Sequence, residues 1–269
     1  MVKKKWVLGR ESDPRVPSDL SGLNLMCRRW GWSALGRLGT RRVVSRLFPE
    51  PSLCYFDVDR FPRVRGKVAL TLDDGFCGVD NPGGDKVEEV RQVLAAANAR
   101  ATFFVVGDHI ETVDPKKITG LVKDGHELAN HNSEDRPYHE ESEGEFEADL
   151  GRVDSLLARF GEEHLCPWYR APHARLSPVM ARVLAGKGKV HVMPDCFAHD
   201  SAIPDPEFIS RFVLGTVLDG SVILVHMPEA GVREWNLRAL GLILNGLTER
   251  GLQAVTFSEL HQLAFGSVD

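Results

Sequence analysis

Leu70-Thr71-Leu72-Asp73-Asp74-Gly75 is the stretch that decides the fold of this chain, because it ends an apolar run with two adjacent carboxylates and a glycine. Residues 67–72 are rich in Val, Leu and Thr, which favours a buried β-strand. Side chains alternate along a strand, so Asp73 and Asp74 can share a site only where the strand ends and Gly75 lets the backbone turn. Two carboxylates held together need a counter-charge. A divalent metal supplies one, with one Asp as ligand and the other free as a base.

The chain after residue 66 alternates strand-like and helix-like segments with short turns, as in a parallel β/α domain. About seven strands are predicted, at 67–73, 101–106, 127–130, 168–170, 190–194, 222–225 and 253–257. Polar clusters repeatedly follow the C-terminal ends of these strands, where β/α barrels build their sites. We therefore expect an α/β fold with a closed or nearly closed barrel.

Bulk composition limits the class of protein. With 269 residues and 43% hydrophobic content, the chain can form one large α/β domain or two small ones, and general disorder is excluded. Its five cysteines are widely spaced without a C-x-x-C pair, which indicates reduced thiols rather than a disulfide framework or a cysteine zinc site. No signal-type apolar run follows the basic start, and no stretch approaches the roughly 18 apolar residues of a membrane span. We expect a cytoplasmic location, with secretion by another route left open.

Charge is unevenly distributed between residues 1–66, a basic N-terminal extension, and residues 67–269, the expected catalytic domain. The extension carries fourteen Lys/Arg and six Asp/Glu, against nineteen and thirty-two in the remainder. Residues 26–48 hold six Arg and no acid among apolar side chains. This pattern fits either a helical segment packed on or near the barrel with its Arg face solvated, or a weak membrane-surface contact. Because the remainder is acidic, we expect no nucleic-acid partner, and no pattern indicates an oligomeric state.

A second polar cluster contains His131 and Asp135, four residues apart. It follows the strand predicted at 127–130. An imidazole and a carboxylate at this spacing can coordinate one cation, and Asp74 would complete a set that leaves positions open for water and substrate. Taken alone, the same spacing is also typical of a helix surface or a helix cap.

Polar groups also end the later strands. Arg170 follows an aromatic strand and precedes a Pro-containing turn, so it can hold a carboxylate in its ionised form, and the turn can aim a backbone N–H at an oxyanion. Asp195 ends the strand predicted at 190–194, and His226 ends the one at 222–225. A neighbouring carboxylate raises the pKa of a histidine, so His226 paired with Asp195 could act as a general acid. An isolated Arg or His at such an edge is otherwise structural.

These motifs follow one another in the order T-L-D-D-G, N-H-x3-D, R-A-P-H, an Asp after a strand, and L-V-H. Their order and spacing resemble the five motifs of the carbohydrate esterase family 4 polysaccharide deacetylases, the NodB-homology domain, over about residues 67–260. The resemblance implies a distorted (β/α)7 barrel that removes acetyl groups from N-acetylated sugars such as chitin oligosaccharide or peptidoglycan. It also implies one divalent metal ion, zinc first, with cobalt, nickel or manganese as alternatives.

The same resemblance assigns roles residue by residue. Asp73 would be the general base, oriented by Arg170, and His226 would be the general acid, supported by Asp195. The metal ligands would be Asp74, His131 and Asp135, and the oxyanion would be held at the turn formed by Pro172 and His173. His199 and Trp235 follow Asp195 and His226 closely and are added as candidate substrate contacts, with core packing as the alternative for Trp235.

The chain departs from the family pattern at three places. Asp135 stands where most relatives have His, and its extra charge would favour a harder ion. His173 stands where Tyr is usual. The fourth motif holds two acids, so Asp200 could replace Asp195 as the partner of the acid, although we favour Asp195. Two rival functions therefore stay open: a deacetylase or deformylase of a small N-acylated metabolite, and a catalytically impaired sugar-binding pseudoenzyme.

Overall fold

The computed structural model describes residues 22–47, 52–161 and 165–266, so residues 1–21 and 48–51 of the predicted extension lie outside it. The strands are β1 (Lys67–Gly75), β2 (Thr102–Val105), β3 (Glu127–Asn130), β4 (Leu165–Tyr169), β5 (Val190–His191), β6 (Val222–His226) and β7 (Gln253–Val255). The helices are α1 (Gly22–Leu38), α2 (Thr40–Leu47), α3 (Val87–Ala96), α4 (Pro115–Lys123), α5 (Glu143–Ala158), α6 (Pro178–Gly186), α7 (Pro206–Thr216), α8 (Trp235–Glu249) and α9 (Phe257–Phe265).

From β1 onward strands and helices alternate, and each predicted strand has a counterpart in the structure. β5 is shorter than predicted: it covers two residues and not the whole of 190–194. Pro194 has no N–H to donate to a ladder, and Val192 forms an isolated parallel bridge with Leu53. Residues after β5 are therefore free to leave the sheet and return towards β6.

The described strands form one seven-stranded parallel sheet in the order β5-β4-β3-β2-β1-β6, with β7 also paired to β1. This is the α/β architecture that the sequence predicts, a sheet curved into a distorted barrel. Parallel strands bring their C-terminal ends to one edge. The register of β1 against β6 places Asp73 opposite His226 at that edge.

Alternation along β1 positions the first of the two carboxylates. Leu70 and Leu72 pack into the cluster between the sheet and the outer helices, whereas Ala69 belongs to a second cluster inside the barrel. Thr71 and Asp73 share the parity of Ala69 and point inward with it. Each buried Leu stabilises the fold by about 1.5–3 kcal/mol. The apolar face of β1 therefore holds the inward carboxylate in register.

The helices of the basic extension pack on the barrel. Trp32 of α1 lies edge-on to Phe197 and Phe212, with ring centroids 4.8 and 5.8 Å apart. Arg41 of α2 forms an ion pair with the buried Asp195, with 2.8 Å between Nε and Oδ2. Among the described helices, none combines the length and the apolar character needed to cross a membrane.

Candidate active site

Asp73 and Asp74 diverge at the end of β1. Both residues are buried, with 4% of their surface exposed. Asp74 has a left-handed backbone, with φ of 58°, which breaks the alternation that aims Asp73 into the barrel. The two carboxylates therefore reach one cavity from adjacent residues with different partners.

Asp73 is paired with the buried guanidinium of Arg170. Arg170 Nη1 also donates to Thr71 Oγ1 at 2.9 Å, and its Nε donates to the Val192 carbonyl at 3.0 Å. The guanidinium lies over the Phe104 ring, 4.0 Å from its centroid. These contacts fix Arg170 in one geometry, in which it can orient Asp73.

Asp74 lies between His131 and Arg233. Its Oδ1 is 3.5 Å from His131 Nε2, and its Oδ2 accepts a hydrogen bond from Arg233 Nη1 at 2.6 Å. Burial alone would raise the pKa of Asp74, but the charge of Arg233 and the hydrogen bond with His131 hold it well below its usual range. His131 Nδ1 donates to the Arg170 carbonyl at 2.7 Å, which leaves Nε2 to face Asp74.

The three predicted metal ligands line one cavity but do not form a preassembled ion site. Asp135 Oδ1 is 3.3 Å from His173 Nε2, and this hydrogen bond raises the pKa of His173. In the part of the chain that the structure describes, no three His, Cys, Asp or Glu side chains are grouped so that they could hold a metal ion. Asp135 bonds His173, and the charge of Arg233 already neutralises Asp74, so these residues, as they are arranged here, do not fit the implied ion. A divalent metal stays a prediction.

His226 pairs with Asp200, which corrects the predicted partner Asp195. The distance from His226 Nδ1 to Asp200 Oδ1 is 3.0 Å, and the His226 backbone N–H donates to Asp200 Oδ2 at 2.7 Å. Burial would lower the pKa of His226, but the charge and hydrogen bond of Asp200 raise it to about 9. Asn236 Nδ2 donates to Asp200 Oδ2 at 2.7 Å, and Trp235 Nε1 donates to the Asp200 carbonyl at 2.8 Å. Trp235 therefore positions Asp200.

Asp195 lies at the opposite end of β6, which is why it does not support the histidine. It accepts hydrogen bonds from Arg41 Nε at 2.8 Å, Ser221 Oγ at 3.0 Å and the Val222 N–H at 2.6 Å. Val222 begins β6 and His226 ends it, so roughly 13 Å of strand separates the two positions. The segment after Asp195 runs alongside β6 and brings Asp200 to the end that the site uses.

Sequence reasoning missed Arg41, Arg233 and Asn236. The two arginines contact acids 154 and 159 residues away in the chain, so no local spacing marks them. The sequence did offer one signal for a second arginine. Asp73 and Asp74 are two buried carboxylates that each need a cation, and Arg170 can pair with only one of them.

The site opens into a cavity of about 630 Å³. Its lining contains most of the predicted site residues, namely Asp73, Asp74, His131, Asp135, Arg170, His173, His199 and His226. α1 and α2 add an apolar wall made by Trp32, Leu35, Val43, Val44 and Leu47, and Trp32 Nε1 donates to His199 Nδ1 at 3.2 Å. Within the described residues, the lining does not include Pro172, Asp195 or Trp235.

Residues 62–190 match the family model of polysaccharide deacetylases. The chain carries a polysaccharide deacetylase domain. It is 26% identical over 195 residues to a peptidoglycan-N-acetylglucosamine deacetylase of Bacillus cereus, an alignment that covers 72% of this chain and 87% of the relative. It is also 28% identical over 193 residues to a chitooligosaccharide deacetylase of Sinorhizobium fredii, covering 68% of this chain and 86% of the relative.

Solved structures share the fold of this polysaccharide deacetylase domain. The Xyl-CE4 domain of a multidomain xylanase from the hindgut metagenome of Trinervitermes trinervoides has a TM-score of 0.65 at 22% identity, covering 74% of this chain and 90% of that one. A CE4 family pseudoenzyme from Bacillus anthracis has a TM-score of 0.64 at 17% identity, covering 79% and 69%. The predicted family and the distorted barrel are confirmed.

Proposed function

We propose that the protein hydrolyses the N-acetyl amide of N-acetylglucosamine-containing glycans. The observation that carries this proposal is the register of β1 against β6, which places Asp73 opposite His226 so that both residues line the cavity. Each of the two is held by a buried partner of opposite charge, Arg170 and Asp200 respectively. A carboxylate and a protonated imidazole that face one cavity can serve as base and acid on the same reacting bond. The matched relatives are named as peptidoglycan-N-acetylglucosamine and chitooligosaccharide deacetylases, which supports this substrate class.

Asp73 acts as the general base. It accepts a proton from the attacking water as a C–O bond forms to the amide carbon and the carbonyl electron pair moves onto oxygen. The ion pair with the buried Arg170 guanidinium holds this carboxylate in position for the step.

His226 acts as the general acid. Because its pKa is raised to about 9, it is protonated at neutral pH. Asp200 holds Nδ1, so Nε2 is the nitrogen that can face the substrate. When the intermediate collapses, the C–N bond breaks and Nε2 gives its proton to the leaving nitrogen. The products are acetic acid and a free amino sugar, and proton exchange with solvent returns Asp73 and His226 to their starting states.

The backbone N–H of His173 is the proposed oxyanion donor. His173 follows β4 and lines the cavity. Its backbone is left-handed, with φ of 55°. This conformation costs free energy in a residue other than glycine, persists only where the surrounding structure fixes it, and is concentrated at functional sites. A donor fixed in this way stabilises the charge that develops on the carbonyl oxygen.

The wall formed by α1 and α2 favours a second candidate function, the deacylation of a small N-acylated compound. This wall is apolar and lies in the same cavity as the proposed acid and base. A cavity of about 630 Å³ falls in the range of roughly 300–1,000 Å³ that is usual for small-ligand sites. A short amino sugar fits this setting better than the interior of a long polymer.

Acetate and formate release from a substrate panel tests both candidates. The panel contains chitin oligosaccharides of increasing length, peptidoglycan, and N-acetyl and N-formyl amino monosaccharides. We expect release from at least one member, and a preference for the shortest would support the second candidate. Binding of these sugars without release, with and without added zinc, cobalt, nickel or manganese, would contradict both and support a sugar-binding pseudoenzyme.

A further inference from the structure

Arg233 is a buried cation in the site to which the proposed steps assign no role. It is 1% exposed, its Nη1 donates to Asp74 Oδ2 at 2.6 Å, and its Nη2 lies 3.4 Å from Glu229 Oε1. Burial would lower the pKa of Arg233, but the charges of Asp74 and Glu229 raise it, so the guanidinium is permanently charged. Arg233 also lines the cavity that contains Asp73 and His226.

The loop after β6 holds this arginine through a network of its own. Glu229 is fully buried, and its Oε2 accepts hydrogen bonds from the Gly78 N–H at 2.9 Å and from Asn81 Nδ2 at 2.8 Å. Glu229 and Val232 pair through both backbone hydrogen bonds, and Arg233 follows with φ of 54°. A left-handed backbone at a long side chain is unfavourable, so it persists only where the surroundings fix it. The Arg233 guanidinium is therefore held in a fixed position in the site by the buried residues around it.

A divalent ion would have to compete with the guanidinium for Asp74. An ion bound by Asp74 and His131 would lie directly beside the Arg233 charge, and two cations in contact in a buried site repel strongly. The two adjacent carboxylates are already neutralised, since Arg170 pairs with Asp73 and Arg233 pairs with Asp74.

We propose that the Arg233 guanidinium takes the place of the divalent ion, so that this site hydrolyses an amide without a metal. It neutralises Asp74 and presents positive charge to the carbonyl oxygen that becomes negative when water attacks. Arg233 transfers no proton, because both proton transfers belong to Asp73 and His226. The catalytic half of this proposal rests on the proposed function, whereas the metal-binding half does not.

The zinc content of the full-length chain tests the metal-binding half without an activity assay. The protein is stripped with EDTA, incubated with excess zinc, desalted and measured by elemental analysis, with cobalt in parallel. We expect far less than one equivalent per chain, and one tightly bound equivalent would overturn the proposal. Acetate release by the same sample should persist in EDTA, and release that requires added zinc would also overturn it. A sample that releases no acetate removes the proposed function, while its zinc content still decides the metal-binding half.

A pair of substitutions tests whether Arg233 is the group that excludes the ion. Arg233→Met with Asp135→His removes the cation and offers Asp74 and two imidazoles, so zinc should rise from near zero to about one equivalent, with three protein ligands. Arg238→Met, which removes an exposed arginine from the same helix region, should bind no more zinc than the parent. Arg233→Lys keeps the positive charge and should also stay free of zinc. Unchanged zinc content in a folded double variant, or zinc bound by Arg233→Lys, would contradict the competition.

Discussion

The two ion pairs at the end of β1 differ although their carboxylates are neighbours in the chain. Asp73 is held by Arg170 from the end of β4, inside the barrel, and lies opposite His226. Asp74 is held by Arg233 from the loop after β6, and its other oxygen faces the imidazole of His131. In the proposed mechanism, Asp73 transfers a proton and Asp74 carries a charge that Arg233 neutralises. The two carboxylates are adjacent in the sequence, yet their environments differ because each one binds a different buried arginine.

The largest expected effect comes from His226, the proposed general acid opposite Asp73. His226→Gln keeps a side chain of similar size, but the glutamine amide cannot transfer a proton to the leaving amine. We expect kcat for acetate release to fall by about 10²–10⁴ while the far-ultraviolet circular dichroism spectrum is unchanged. A fall of less than tenfold in a folded variant would remove His226 from the mechanism.

The buried arginines should dominate stability. Arg170→Met and Arg233→Met each leave a buried carboxylate without its cation, which should lower the free energy of unfolding by about 3–5 kcal/mol, as measured in urea. Pairing each with Asn at its own partner, Asp73 or Asp74, should recover most of the loss. The exposed control Arg238→Met should change it by about 0–1 kcal/mol. If exchanging the Asn partners rescued equally well, the division into two separate pairs would be wrong.

The pH dependence separates Asp200 from Asp195. The pKa of His226 rises from 6.5 to about 9 on folding. The contribution of protonated His226 to the free energy of unfolding is therefore complete below pH 6.5 and is lost as the pH rises through 9. Asp200→Asn should move the alkaline limb of kcat/KM down towards 6.5, and Asp195→Asn should leave that limb in place. If the alkaline limb moved with Asp195→Asn instead, Asp195 and not Asp200 would be the partner of His226.

The smallest expected effect concerns the apolar wall. Trp32→Ala removes ring contacts with Phe197 and the hydrogen bond to His199, neither of which involves the proposed acid or base. We expect KM for the shortest substrate to rise about tenfold, equivalent to about 1.4 kcal/mol of binding, with kcat nearly unchanged. A fall in kcat with constant KM would place α1 in the catalytic step instead of in binding.

Much of the fold is predictable from the chain because local signals agree with the global one. The alternation of β1, with Leu70 and Leu72 outward and Asp73 inward, is a period-2 pattern that needs no tertiary information. The positions of Arg170 and His226 at strand ends follow from the rule that parallel strands share a C-terminal edge. These residues are brought together in one cavity.

The partners that tune this site were not predictable in the same way. Choosing between Asp195 and Asp200 required knowing that the chain leaves β5 after two residues and runs alongside β6. Arg233 comes from a loop whose conformation depends on Glu229, which is itself fixed by Gly78 and Asn81 from after β1. Such contacts are set by tertiary packing, for which a single sequence carries no spacing rule.

Acetate release from chitin oligosaccharides by the parent chain and by Asp73→Asn tests most directly whether Asp73 is the general base of an N-acetyl hydrolase. The parent should produce acetate and free amine in equal amounts, and Asp73→Asn should do so about 10²–10⁴ times more slowly while remaining folded. Equal rates from the two proteins, or sugar bound by the parent without either product, would contradict this role for Asp73.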